Sequence, residues 1–137
     1  MIVFLDTNVI LDALQERSPF DLPAKEILMQ AQGGNLKCML SANAIADIFY
    51  LYSKARGISA ANAALVFLLK MLKVVSVTHE DCNAALALPI ADFEDALAAV
   101  CAKKANADYI ITRDVKLLNE AVFSRTISPS EFVMMYL

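Results

Sequence analysis

Ile2-Val3-Phe4-Leu5-Asp6-Thr7-Asn8-Val9-Ile10 decides the fold. Four consecutive apolar residues suit a strand buried on both faces, since a strand with one wet face would alternate apolar and polar residues. Asp6, Thr7 and Asn8 follow at once, and each of these residue types caps helices. A helix over residues 9–15 comes next. A fully buried strand running straight into a helix is the opening of a parallel α/β unit.

The alternation continues along the chain. Asp21 and Pro23 open a helix that Gly33-Gly34 ends. Residues 37–40 form the second candidate strand. Ser41 or Asn43 caps a helix to about Arg56, which Gly57 closes, and Ser59 caps an Ala- and Leu-rich helix to about Leu72. Residues 74–77 read as the third strand. Thr78 with Glu80-Asp81 starts a helix that stops near Pro89, and Asp92 caps another to about Asn106. Residues 109–111 are the fourth apolar run and residues 125–127 a short fifth. Ser128-Pro129-Ser130-Glu131 has the form of a capping box with proline at the first helical position. Together these elements predict an α/β fold, a three-layer α/β/α sandwich around a central parallel sheet of four to five strands. The 137 residues, with no internal repeat or linker tract, suit a single domain over 1–137.

Composition narrows the function. The chain is 58% hydrophobic and 20% charged, more apolar than its own core needs, which points to surface buried against another subunit or partner. No apolar run reaches the roughly 20 residues of a membrane helix, and the N-terminus shows no signal-peptide pattern. Cys38, Cys82 and Cys101 are odd in number and widely spaced, which suits neither a disulfide framework nor a zinc site. A reducing, cytoplasmic setting is expected. The formal charge of −3 argues against nucleic-acid binding through bulk positive charge, although divalent cations held by carboxylates would offset it. No glycine-rich phosphate loop is present.

The chemistry collects at strand ends. Open parallel sheets bind ligands outside the carboxyl ends of their strands, where strand order reverses. Residues 2–5 end in Asp6, and residues 109–111 end in Thr112-Arg113-Asp114. If these strands are neighbours, Asp6 and Asp114 share a crevice. Asp92 and Asp95 lie three apart at a helix start, on one face, and Asp47 lies about a turn into the helix after the second strand. Carboxylates gathered together repel one another and call for a counter-ion, and hard oxygen ligands select Mg²⁺ or Mn²⁺. Each acid also has a structural reading. Asp6 and Asp114 suit helix caps, Asp95 suits the positive end of a helix dipole, Asp92-x-x-Asp95 resembles a capping pair, and Asp47 suits a solvated face. Glu94 is assigned to the solvated side of its helix. His79, the only histidine, reads as a helix-start surface residue rather than a general base.

The joint pattern resembles the PIN-domain nucleases, above all the short stand-alone toxins of VapC-like toxin–antitoxin pairs. Phe4-Leu5-Asp6-Thr7-Asn8-Val9-Ile10 matches the family's opening. Leu40-Ser41-Ala42-Asn43-Ala44-Ile45-Ala46-Asp47-Ile48-Phe49-Tyr50, Asp92-Phe93-Glu94-Asp95-Ala96-Leu97 and Tyr109-Ile110-Ile111-Thr112-Arg113-Asp114 look like its later blocks, in family order. The resemblance implies a Mg²⁺- or Mn²⁺-dependent endoribonuclease whose catalytic and metal-binding acids are Asp6, Asp47, Asp95 and Asp114. It implies supporting roles for Asn8, Thr112 and Asp92, a homodimer, and an antitoxin partner. One departure is visible: the second acid, often Glu in this family, is Asp47. Arg113 and Lys116 flank Asp114 and are the expected RNA phosphate contacts, with Lys103-Lys104 further off. Three other readings stay open. The first is a catalytically silent PIN-like binding module. The second is a haloacid-dehalogenase-like phosphatase, which wants an acid where Asn8 stands. The third is a receiver domain, which wants an acid that Val77-Thr78 does not supply.

Overall fold

The computed structural model describes residues 1–114, 116, 118 and 125–137. Five strands, β1 (Ile2–Leu5), β2 (Lys37–Ser41), β3 (Leu72–Val75), β4 (Tyr109–Ile111) and β5 (Thr126–Ile127), form one sheet in the order β3-β2-β1-β4-β5. Every pairing is parallel. Seven helices stand among the described residues: α1 (Thr7–Leu14), α2 (Asp21–Gln32), α3 (Ala42–Arg56), α4 (Ile58–Met71), α5 (His79–Leu86), α6 (Phe93–Lys104) and α7 (Pro129–Tyr136).

The period of two along each strand divides the core into two layers. Val3 and Leu5 of β1, Leu40 of β2 and Ile111 of β4 pack with α1, α2, α3, α4 and α7. Phe4, Met39 and Ile110 lie side by side in register and point the other way, onto Ala96, Leu97 and Cys101 of α6 and Ala85 of α5. Phe4, Leu5, Ile110 and Ile111 are fully buried, and each such side chain contributes about 1.5–3 kcal/mol relative to exposure. The result is the α/β/α sandwich expected from the alternation of apolar runs and caps.

Helix α1 starts at Thr7, two residues early, and two further boundaries differ from expectation. The third strand starts at Leu72, two residues early, because α4 ends with no glycine or proline and Leu72 turns directly to extended geometry (φ −109°, ψ 145°). Helix α4 starts at Ile58 rather than after Ser59. Gly57 ends α3 and begins α4 in a single residue at φ 91°, a conformation that residues with a Cβ rarely adopt. The caps at Thr78 and Asp92 form as expected, and Thr78 makes a full capping box with Asp81. At Ser128 the hydroxyl accepts from the Glu131 amide. The short helix expected after Asp114 lies largely outside the described residues. No described helix is long and apolar enough to cross a membrane.

The topology fixes where a ligand can sit. From β1 the chain steps outward through β2 to β3, then crosses back so that β4 pairs with the other side of β1. The order reverses between β1 and β4. Their carboxyl ends lead into Asp6 and Thr112, and the Asp6 amide donates to the Ile111 carbonyl (3.0 Å), carrying the pairing one residue past the strand.

Candidate functional site

Asp6 stands at the N-cap position of α1 with extended geometry, yet its side chain accepts no capping hydrogen bond from its own helix. The carboxylate turns across the sheet instead. Thr112, fully buried, donates its hydroxyl to Asp6 Oδ2 (2.7 Å), and Thr112 Oγ1 itself accepts the Asp114 amide (3.0 Å). One threonine therefore ties the end of β1 to the end of β4 and orients both acids. Asp114 in turn accepts the Lys116 amide through Oδ1 (2.9 Å), which fixes its side chain from below.

Helix α6 brings in the remaining acids from the opposite layer. Its N-terminus points at the crevice, with Asp92 accepting the Asp95 amide (3.1 Å). Two cavities result, with Asp6, Thr7 and Glu94 in the lining of both. A small one, about 20 Å³, is lined by Asp6, Thr7, Ser41, Asn43, Glu94 and Asp95. A larger cleft, about 340 Å³, is lined by Asp6, Asn8, Asp47, Tyr50, Leu51 and Glu94 among others. Asp6 and Glu94 face both. Asp47 faces only the larger cleft and Asp95 only the smaller.

The acids feel one another. Burial raises the Asp6 carboxyl above its ordinary value of 3.8 and Asp114 adds to the rise, while the Thr112 hydrogen bond holds it down. Asp95 is pushed up to about 6, first by burial and then by Asp92, Asp114, Asp6 and Glu94. Glu94 is raised by burial, then by Asp47, Asp6 and Asp92. Such mutual repulsion marks a site that gains from a cation.

The nearest guanidinium is turned elsewhere. Arg113 donates from Nε (2.6 Å) and one terminal nitrogen (3.1 Å) to Asp12 on α1, and it stacks 4.3 Å from the Phe20 ring centroid. Asp12 is 1% exposed and also lies 3.6 Å from Arg17. The Arg113 side chain, expected at RNA phosphates, thus locks the β4 loop onto α1. Lys104, at the far end of α6, binds Asp81 and the Ser76 carbonyl (2.7 Å) rather than the crevice. Lys116 is exposed.

The structure brings Asp6, Asp95 and Asp114 together with Thr112, and sets Asp47 and Asn8 across the larger cleft. Asp92 does what a cap does. Two residues are new to the site. Glu94 is exposed, as expected, and also lines both cavities, because it stands in the first turn of a helix that ends at the crevice. Asn43 lines the smaller cavity. Among the described residues no three Asp, Glu, His or Cys side chains stand close enough to share one ion as they are. The donor chemistry nonetheless suits a hard divalent cation. All the charged donors lining the two cavities are carboxylates, and a buried amide oxygen, Asn43 Oδ1, has no hydrogen-bond partner.

A three-layer sandwich with acids collected at its strand-order reversal defines a class of α/β proteins whose ligand crevice opens at the carboxyl ends of the strands. The chain's own place within it is specific: residues 2–116 match the PIN domain model, and the chain belongs to that family. No curated protein sequence matches it. Among solved structures it is similar to VapBC2 from Rickettsia felis bound to a DNA fragment from their promoter (TM-score 0.67, 19% identity, covering 93% of this chain and 98% of that one). It is also similar to Mycobacterium tuberculosis VapC20, a Sarcin-Ricin loop cleaving toxin (0.67, 18%, 88% and 98%), and to DNA-bound VapBC from Salmonella typhimurium (0.69, 12%, 94% and 98%). At these identities the likeness speaks to the fold.

Proposed function

We propose that this PIN-domain protein is a divalent-metal-dependent endoribonuclease and the toxin half of a toxin–antitoxin pair. The observation that carries the reading is the pairing of Asp6 and Asp114 at the switch between β1 and β4, tied through Thr112, with the Asp95 carboxyl raised by both of them after burial and Asp92.

Asp6, Asp95 and Asp114 would hold Mg²⁺ or Mn²⁺, with Asp47 reaching in from α3. A cation bound there supplies an acidified water and offsets the charge that builds on a phosphodiester during in-line attack. The protein's own groups do the rest. Thr112 keeps the Asp6 carboxylate aimed at the crevice, and Asn8 presents an amide at the mouth of the larger cleft. Asp47 and Glu94, facing each other across that cleft, are placed to take the proton from an attacking water. Tyr50, 56% exposed at its edge with the Lys54 ammonium 4.5 Å from its ring centroid, offers a face on which an unpaired base can stack. An extended polynucleotide suits this open, acid-lined groove better than a small phosphate ester, and Asn8 stands where a phosphatase nucleophile pair would want a second acid.

RNA as substrate and an antitoxin as partner draw support from the relatives, among them a loop-cleaving toxin and VapBC complexes. A partner or a second copy of the chain has apolar surface to cover: Ile58, Val66, Phe67 and Leu69 of α4 are exposed. Sedimentation at micromolar concentration tests the homodimer.

The test of the activity is cleavage of structured and single-stranded RNA with Mg²⁺ or Mn²⁺. Cleavage should vanish in EDTA and fall by about 100-fold or more in Asp6→Asn and Asp95→Asn. Undiminished cleavage in either variant, or in EDTA, would sink the assignment.

A further inference from the structure

Asn43 Oδ1 is closed off from solvent and accepts no hydrogen bond, alone among the described side-chain atoms in this respect. Leaving a buried polar atom unpaired costs about 1–3 kcal/mol, and folded proteins leave few such atoms without a reason. Asn43 is the second residue of α3, one turn before Asp47, so both side chains rise from the same stripe of the helix. Asn43 belongs to the wall of the small cavity that Asp6, Thr7, Ser41, Glu94 and Asp95 help to complete. At about 20 Å³ that cavity has room for a single water molecule or a single ion.

The lining chemistry narrows the occupant. The carboxylates of Asp6, Glu94 and Asp95 have only oxygens to offer, and an amide oxygen adds one more. An acceptor with nothing to accept from, on a residue that shares a cavity wall with three acids, is matched by a positive centre. Neutral amide carbonyls are established hard-cation ligands. They add a donor without adding to repulsion among carboxylates that already raise one another. We infer that Asn43 Oδ1 is an oxygen partner of the divalent cation held by Asp6 and Asp95. Asn43 is then a fifth position of the site, on the same helix as Asp47 and a turn deeper. The inference rests on the reading of the crevice as a divalent-cation site.

The experiment is calorimetric titration with Mn²⁺ of the wild-type chain, Asp6→Asn, Asn43→Leu and Asn43→Asp, beside melting curves in EDTA. Asn43→Leu keeps the number and branching of the side-chain heavy atoms and removes the oxygen. It should bind Mn²⁺ about tenfold more weakly while melting in EDTA no lower than wild type, since it removes an unpaired polar atom. Asn43→Asp restores an oxygen and should bind at least as tightly as wild type. Wild-type affinity in Asn43→Leu would overturn the inference. So would weakened binding in Asn43→Asp, because that is the result if the amide instead donates its NH₂ group to the carboxylates. If wild type binds and Asp6→Asn does not, the cation site stands whatever the Asn43 variants do. If wild type binds no Mn²⁺, the cation reading fails and this inference with it.

Discussion

Replacing Arg113 by alanine should destabilise the protein more than replacing its partner Asp12, although both substitutions remove the same ion pair. Asp12 is 1% exposed and accepts two hydrogen bonds from Arg113, at 2.6 and 3.1 Å. Arg113→Ala leaves that carboxylate buried with only Arg17, at 3.6 Å, to face it. Stranding a buried charge costs about 3–5 kcal/mol, and losing the stack on Phe20 adds roughly 0.5 kcal/mol, so about 4 kcal/mol is expected. Asp12→Ala leaves two guanidinium groups that are already 31% and 35% exposed and regain water readily. The loss there is the hydrogen bonds themselves, about 2 kcal/mol. The double variant should match Asp12→Ala to within about 1 kcal/mol, because Arg113 has nothing left to neutralise. Urea unfolding in EDTA reads all three, with a midpoint shift of roughly 2 M for Arg113→Ala at an ordinary slope. Additive losses, or a greater loss in Asp12→Ala, would refute the reasoning.

Three further outcomes follow from the same geometry. Asp95 holds its proton more tightly in the folded protein, at about 6 against 3.8; its contribution to stability is therefore full below 3.8 and lost as pH rises through 6. In EDTA, Asp95→Asn should melt above wild type at pH 7.5 by the order of 1 kcal/mol after allowing for solvent screening, match it at pH 4, and fall below it once Mn²⁺ is added; a gap that does not change with pH counts against this. Thr112→Val keeps the buried shape but removes the hydroxyl between Asp6 and Asp114; unfolding should show a loss of about 1–3 kcal/mol and titration about tenfold weaker Mn²⁺ binding. Thr78→Ala removes the capping box of α5, should cost about 1 kcal/mol in melting experiments, and should leave RNA cleavage per folded molecule unchanged.

The legible parts of this molecule are those written in consecutive residues. A fully apolar strand before Asp6 and another before Thr112 predict a buried parallel sheet and two acids at strand ends, and β1 and β4 are neighbours. The caps at Thr78 and Asp92 are equally local. What escapes the sequence is set by pairings across the chain. Arg113 reads as a site cation from its adjacency to Asp114, but its partner Asp12 lies 101 residues away. Glu94 reads as solvated and is exposed, but helical spacing does not show that its helix end faces the crevice, so its place in the cavity lining is missed. Of the two cap positions the sequence offers for α3, Ser41 is the one taken, and nothing local shows that Asn43 then lines the small cavity. The start of β3 is hidden because no glycine or proline separates it from α4. Asp47 lines the larger cleft and Asp95 the smaller cavity, a division that spacing along the chain does not show.

The most direct measurement of the central claim is anomalous scattering from crystals grown with Mn²⁺. The account predicts a peak in contact with the carboxylates of Asp6 and Asp95, between the ends of β1 and β4 and the start of α6. A fully occupied Mn²⁺ elsewhere on the protein, with the crevice empty, would contradict it.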